Sequence, residues 1–302
     1  MTPNESIFLG IRGARCHVRA WGPATAPKVF LLHGWMDVSA SFQFMVDALP
    51  RGFRYLAPDA LGTAPSGWSA NGSYWYLDRV AELAGVVDAL QPDGPLTLVG
   101  HSMGFNIASL LAGIRPARVG KLVNLECYGH RSTQAGVLPE RLGEWLNAAA
   151  LPAPSRPYAS LDVLSQRLMK SHPGISAEQA AFLARHYAQV GADGQLLPVH
   201  DPRMRSPNNK MPYVGQLRFE DALVCWRAST ASLLWVRGAK SDLPKDLGQT
   251  PEQQAAYRAA FRIVGEAVLP DGGHAIHIGQ AAEVAAVMTP FLLDQPKAAA
   301  HG

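Results

Sequence analysis

One serine in this chain stands between two glycines in a stretch suited to nucleophilic chemistry. Gly100-His101-Ser102-Met103-Gly104 fits the spacing G-x-S-x-G. The four residues before it, 96–99, are apolar or β-branched, as a buried strand requires. Residues 105–114 follow with Ile107, Ala108, Leu110, Leu111 and Ile114 at helical spacing. The pattern predicts a strand, an abrupt turn and a helix. Glycine is needed on both sides of the turn, because backbone segments there lie too close for a Cβ. Ser102 at the apex is expected in strained backbone, with its hydroxyl pushed out above a sheet. The Met103 N–H, at the helix start, is expected to face an anion formed beside that hydroxyl.

A serine hydroxyl is a weak nucleophile at neutral pH, so it needs a base, and the base needs a group to hold its tautomer. His274, in Pro270-Asp-Gly-Gly-His274, is the expected base, since it follows a strand in a glycine-rich loop able to turn back towards the sheet edge. His277 is its near competitor. His101 adjoins the serine, but its ring is expected to point away from the hydroxyl. His17, His130, His172, His186, His200 and His301 have no supporting context. Two carboxylates qualify as the orienting acid. Asp242 follows the strand around residues 233–236, and Glu126 ends the strand that follows the serine's helix. A buried Glu126 beside Leu125 and Cys127 would have to find a partner. The second oxyanion donor is expected from His33-Gly34-Trp35, where Gly34 permits close approach and the Trp35 N–H points inward. His33, Gly34, Trp35 and His101 are the candidate substrate-binding residues. Asp59 and Ser66 read as loop-fixing residues. No set of ligands at zinc spacing is visible, and nucleophilic chemistry of this kind calls for no metal or organic cofactor.

Alternating strands and helices must position these groups. Residues 6–21 read as two strands joined at Arg12-Gly13, and 28–32, 53–58 and 119–126 as further strands. Helices are expected from Ser39 onward and over 76–90. Such alternation means a mostly parallel sheet covered on both faces. The rhythm breaks over 129–228, where 141–149, 161–171 and 177–190 look helical between Pro152, Pro154, Pro157, Pro198, Pro202 and Pro207. A strand at 233–236, a helix over 250–264, a strand at 266–269 and a helix over 281–293 resume the pattern. The expected organisation is a core of 1–128 and 229–302 with a mostly helical cap of 129–228. Trp145, Tyr158, Phe182, Tyr187 and Tyr213 of that cap either line a pocket or form its small core.

Bulk properties limit the function classes. The 302 residues are 48% hydrophobic and 17% charged, as in a globular protein. A net charge of +3 with no basic cluster argues against nucleic acid as a partner. Cys16, Cys127 and Cys225 are far apart and odd in number, which favours a reducing compartment over a disulfide framework. The N-terminus lacks a basic region followed by an apolar run, so the expected location is cytoplasmic. No apolar run reaches the ~20 residues of a membrane span.

Together these residues resemble the capped branch of the α/β-hydrolase superfamily. The matching pieces are His33-Gly34-Trp35, Asp59 with Gly62 and Ser66, Gly100 to Gly104, Gly238 to Asp242, and Gly272-Gly-His274. The resemblance implies nucleophile Ser102, base His274, acid Asp242, and oxyanion donors Trp35 and Met103. It further implies hydrolysis of a small-molecule carboxylic ester, or a related acyl bond, through an acyl-enzyme. Carbon–carbon, lactone and thioester hydrolysis use the same triad, and a non-catalytic binding protein can share the fold. Two departures stand out. Ala64 replaces a glycine usual in the second loop. Asp242 lies four residues after Gly238 where three is usual, which keeps Glu126 in play as the acid.

Overall fold

A computed structural model describes residues 1–70, 72, 74–130, 138–150, 155–204 and 217–294. An antiparallel pair opens the chain, β1 (Asn4–Ile11) and β2 (Ala14–Trp21), turned at Arg12-Gly13, where both residues take positive φ. Then come β3 (Lys28–Leu32), a 3-10 turn (Ser39–Phe42), α1 (Gln43–Ala48), β4 (Arg54–Pro58) and α2 (Tyr76–Leu90). The serine stretch lies between β5 (Leu96–His101) and α3 (Met103–Ile114), and β6 (Val119–Leu125) follows.

Between β6 and the next sheet strand run α4 (Leu138–Ala150), α5 (Leu161–Ser171), α6 (Ala177–Tyr187), a hairpin of β7 (Ala188–Val190) with β8 (Leu196–Pro198), a 3-10 turn (Pro202–Met204), and α7 (Phe219–Ala228). The chain returns through β9 (Ser232–Gly238), α8 (Leu243–Asp246), α9 (Pro251–Ala259), β10 (Arg262–Leu269), α10 (Ile276–Gly279) and α11 (Ala281–Leu293). The expected helix over 250–264 therefore stops early. Arg262 to Leu269 alternate in burial and pair with β9, so sheet pairing overrides the helical spacing that continues to Val264. Residues 188–190 likewise leave the expected helix to form β7.

The main sheet has the order β1-β2-β4-β3-β5-β6-β9-β10. From β4 to β10 every neighbouring pair is parallel, and β2 is antiparallel to both β1 and β4. Register sets two cores. Leu98, Leu122 and Leu233 align on one face, under α2, α3 and α7; Val99, Val123 and Leu234 align on the other, under α1 and α11. Because the central strands are covered on both faces, they read as continuous apolar runs. A third cluster joins α5 and α6 to Val38 and Ala40 of the loop after β3 and to Ile278.

The residues between β6 and β9 thus pack in two ways. The α5–α6 pair and the β7–β8 hairpin sit over the loops at the carboxyl ends of the strands, where Phe44 and Phe182 meet edge to face, 5.2 Å apart. In contrast, α7 joins the main core through Phe219, Ala222 and Trp226, and the Trp226 indole N–H donates to Ser109 of α3 at 3.0 Å. Trp145 of α4 meets Trp75 edge to face at 5.8 Å. Pro152, Pro154, Pro207, Tyr213 and His301 lie outside the described residues. Among the described residues, no helix is long and apolar enough to cross a membrane.

The α3–α7 contact is made backbone to backbone at Gly113, where an added Cβ would lie 1.9 Å from the Cys225 carbonyl oxygen. Gly113→Ala should therefore cost about 3 kcal/mol in urea unfolding, at the upper end of typical overpacking. Gly143, within α4, has nothing within 4 Å of its Cβ position. Gly143→Ala should raise stability by about 0.5–1 kcal/mol through helix propensity.

Candidate active site

Ser102 has φ 51° and ψ −119°, a backbone that a side chain rarely adopts. Its neighbours explain how this is held. A Cβ on Gly100 would fall 2.3 Å from Phe105 N and Cα, and one on Gly104 would fall 2.1 Å from the Leu32 carbonyl oxygen. Only glycine lets α3 fold back this tightly on β5 and β3. The Ser102 N–H donates to Leu125 O at 3.0 Å, which ties the turn to β6. As the residue before α3, Ser102 leaves Met103 at the helix's first position, where an N–H has no partner within the helix. The loop after β3 crosses directly above. An ideal Cβ on Gly34 would lie 3.4 Å from Ser102 Cβ and 3.0 Å from His101 Nδ1. Trp35 follows, half-buried, with Met36 at φ 56° and Asp37 N–H donating to Gly34 O at 3.4 Å.

His274 lies in the loop after β10, half-exposed, and its Nδ1 faces Glu126 Oε2 at 3.5 Å. Glu126, just past β6, is wholly buried and takes φ 57°. Its other oxygen, Oε1, accepts from the Gly238 N–H at 2.5 Å and the Tyr128 O–H at 3.0 Å. The carboxylate is thereby fixed by two donors while Oε2 is left to the imidazole. The loops are locked together at Gly238, where a Cβ would meet Gly272 O at 2.4 Å, and by the Lys240 N–H donating to Gly272 O at 2.7 Å.

Asp242 is elsewhere. It precedes α8 with its side chain 77% exposed and pairs with Lys245 at 3.2 Å. The expected pairing of His274 with Asp242 is corrected by this geometry: the carboxylate facing the imidazole belongs to Glu126. Beyond Gly238 the chain turns outward, and four residues later the aspartate is already in solvent. The long spacing after Gly238 was the visible sign.

Beneath His274 lies a second histidine–carboxylate pair. His277 is buried, with Nε2 3.4 Å from Asp37 Oδ2 and 3.2 Å from Ser41 Oγ. Asp37 also accepts from the Val38 N–H at 2.7 Å, from Ser41 Oγ at 2.9 Å, and from the Tyr187 hydroxyl of α6. Burial opposes its charge, yet the hydrogen bond from His277 and the nearby His277, His33 and His101 imidazoles hold the Asp37 carboxyl well below the usual carboxylate range. Burial pushes both His277 and His101 below the usual imidazole range. The His101 ring lies 4.1 Å from that of His277 and 4.7 Å from that of His274. Its Nε2 lies 2.8 Å from the His274 carbonyl oxygen. A carbonyl only accepts, so Nε2 carries the proton and Nδ1 is bare. His101 thus anchors the backbone of the loop that carries His274, and its ring is buried where a substrate contact was expected.

Asp37, His101 and His277 are the grouping of metal-ligand type among the described residues, with donor atoms within 4.8 Å of one another. Their arrangement suits hydrogen bonding better. His101 Nε2 is committed to the His274 carbonyl, and His277 Nε2 faces Asp37 and Ser41. The carboxylate oxygens are already taken.

A model of the alpha/beta hydrolase family matches residues 29–287. The chain belongs to that family. It is 25% identical over 309 residues to human serine hydrolase-like protein 2, covering 95% of this chain and 94% of that one. It is 26% identical over 286 residues to a mouse sn-1-specific diacylglycerol lipase, covering 90% of this chain and 82% of that one. A thioesterase domain from the curacin biosynthetic pathway superposes with a TM-score of 0.83 at 24% identity, over 95% of this chain and 99% of that one. The serine hydrolase-like relatives support hydrolase activity.

This alpha/beta hydrolase also fixes the loops around its site with buried polar groups. Asp59 accepts from His17 Nδ1 at 2.6 Å, from the Ser39 N–H at 2.6 Å and from the Ser39 hydroxyl at 2.7 Å. Ser66 donates to Asp59 O at 2.6 Å and accepts from the His17 N–H at 2.8 Å. His33 accepts from the Ala60 N–H at 3.1 Å through Nε2, so its Nδ1–H donates to Gly34 O at 2.8 Å. Both His33 nitrogens are spent inside the loop, and its ring is buried where a substrate contact was expected. Sequence reasoning missed the roles of Asp37, His277, His17 and Tyr187. The signal was Asp37 itself, an acid in the tight loop after a strand that needs donors if buried.

Because the Asp37 carboxyl is held low, its stabilisation is complete above the unfolded value, about 4, and is lost as pH falls through the folded value. Asp37→Asn should cost about 2–3 kcal/mol at neutral pH, the worth of hydrogen bonds to a buried charge. Its urea stability should also fall less steeply than the native protein's between about pH 4 and pH 2. Parallel curves would contradict this account of Asp37.

Proposed function

We propose that this protein is a serine hydrolase of carboxylic esters or closely related acyl compounds, working through Ser102, His274 and Glu126. The carrying observation is the approach of His274 Nδ1 to the buried, doubly fixed Glu126 carboxylate. In this reading Glu126 holds the proton on Nδ1, which leaves Nε2 bare to accept the Ser102 proton. Ser102 Oγ attacks the acyl carbon, and the carbonyl oxygen becomes an oxyanion that accepts from the Trp35 and Met103 N–H groups. His274 then passes its proton to the departing alkoxide. Water, deprotonated by His274, attacks the acyl-enzyme, and Ser102 recovers its proton. The strained φ of Ser102 and the Gly34 loop pressed on the turn support this assignment.

The residues of 129–228 act in this proposal as a cap. Its α5–α6 pair packs on the loop that carries Trp35, so it is placed to shape the acyl pocket. Trp35, half-buried beside Gly34, is the residue of that loop best placed to contact substrate.

Ser102→Ala should abolish turnover of short p-nitrophenyl esters and labelling by a fluorophosphonate; retained turnover refutes the nucleophile. Glu126→Gln should lower kcat by about 10³–10⁴-fold, as loss of the correct tautomer does in such triads. Asp242→Asn, at an exposed ion pair, should change kcat by less than about twofold. The reverse ranking in steady-state kinetics would return the acid to Asp242.

A further inference from the structure

A cavity of ≈ 560 Å³ opens between β2, the loop after β4 and the start of the β7–β8 hairpin, away from Ser102 and His274. Arg15 and Arg19 line it from β2, and Arg185 and His186 from α6. Arg15 and Arg19 are four residues apart, so they face the same side of the strand. No carboxylate among the described residues pairs with any of these three arginines. Asp59 is the single acid on the described wall, and its oxygens already take His17 and Ser39. Arg19 keeps two weakly committing partners, Ser39 Oγ at 3.2 Å and Asn4 Oδ1 at 2.8 Å. Arg15 reaches the Pro65 carbonyl at 3.4 Å and lies 4.7 Å from the centroid of the exposed Phe8 ring, and neither contact neutralises its charge. The entire chain has a net charge of +3, so three unpaired guanidiniums in one cleft concentrate positive charge that is otherwise balanced. Nearby groups register it: the His186 imidazole is pushed down to about 4, by burial first and then by Arg19 and Arg185 against Asp59.

We propose that this cavity is a binding site for an organic phosphate, separate from the hydrolytic centre. Guanidinium forks match phosphate oxygens in geometry and charge. The volume lies within the range of small-molecule pockets, about 300–1,000 Å³, and far exceeds what a free phosphate ion fills. Trp68, 45% exposed on the same wall and with its ring centroid 5.9 Å from the Arg203 guanidinium, supplies apolar surface for the organic part.

Calorimetric titration of the whole protein at low ionic strength tests this, with phenyl phosphate as probe and inorganic phosphate and benzoate as comparators. Phenyl phosphate should bind with a Kd below about 1 mM, and the Arg15→Gln/Arg185→Gln double variant should weaken it about tenfold or more. Both positions are exposed, so the double variant should keep the native melting temperature. Arg218→Gln, at a surface pair with Asp221, should leave binding unchanged. Inorganic phosphate binding as tightly, with the same dependence on Arg15 and Arg185, would keep the anion site but make the free ion its occupant. Benzoate binding as tightly, no saturation by about 10 mM phenyl phosphate, or equal affinity in the double variant would overturn the proposal.

Discussion

How near α3 can come to the strand ends below it is the constraint on which the site rests. Gly100 and Gly104 bring main chain within a distance no side chain permits, and Ser102 is forced into positive φ at the crossing. Strain of this kind persists only where the surroundings over-determine it. Here the surroundings are the buried α3, the bond from Ser102 to Leu125, and the Gly34 loop pressed on top. The same economy recurs at Gly238 against Gly272, which fixes the loop bearing His274.

Buried charge is handled by one recurring device. Glu126, Asp37 and Asp59 each follow a strand, each accept from a backbone N–H, and each face a histidine: His274, His277 and His17 respectively. A carboxylate out of water needs such donors, since its lost hydration is far larger than any single contact returns. Of the three imidazoles facing these acids, that of His274 alone is appreciably exposed. The inner pairs are walls and anchors for the outer one.

Much of this was legible in the amino-acid order. Runs such as Leu96 to Val99 announce doubly covered strands, and glycines flanking Ser102 announce the crossing. The alternation of strands and helices gave the parallel sheet and its flanking layers. Less legible was anything decided by tertiary packing. Residues 262–264 continue a helical pattern yet belong to β10, which pairs with β9, and the spacing within α7 does not say whether it covers α3 or the helices between β6 and β9. The partner of His274 was ambiguous for a similar reason. Two acids followed strands, and only the path of the chain beyond Gly238, outward into solvent, separates Glu126 from Asp242.

Glu126 and Ser102 sit at the ends of β6 and β5, joined by α3 alone. On the proposed assignment, nucleophile turn and acid are carried by one continuous strand–helix–strand module, upstream of the residues between β6 and β9. The segment after β9, where the family resemblance would place the acid, is relieved of that duty. Loop exchange, lengthening or shortening there, and remodelling of the inserted helices, leave the spacing of turn and acid untouched. On that assignment, the segments placed to contact a substrate can vary without moving the proposed reacting groups.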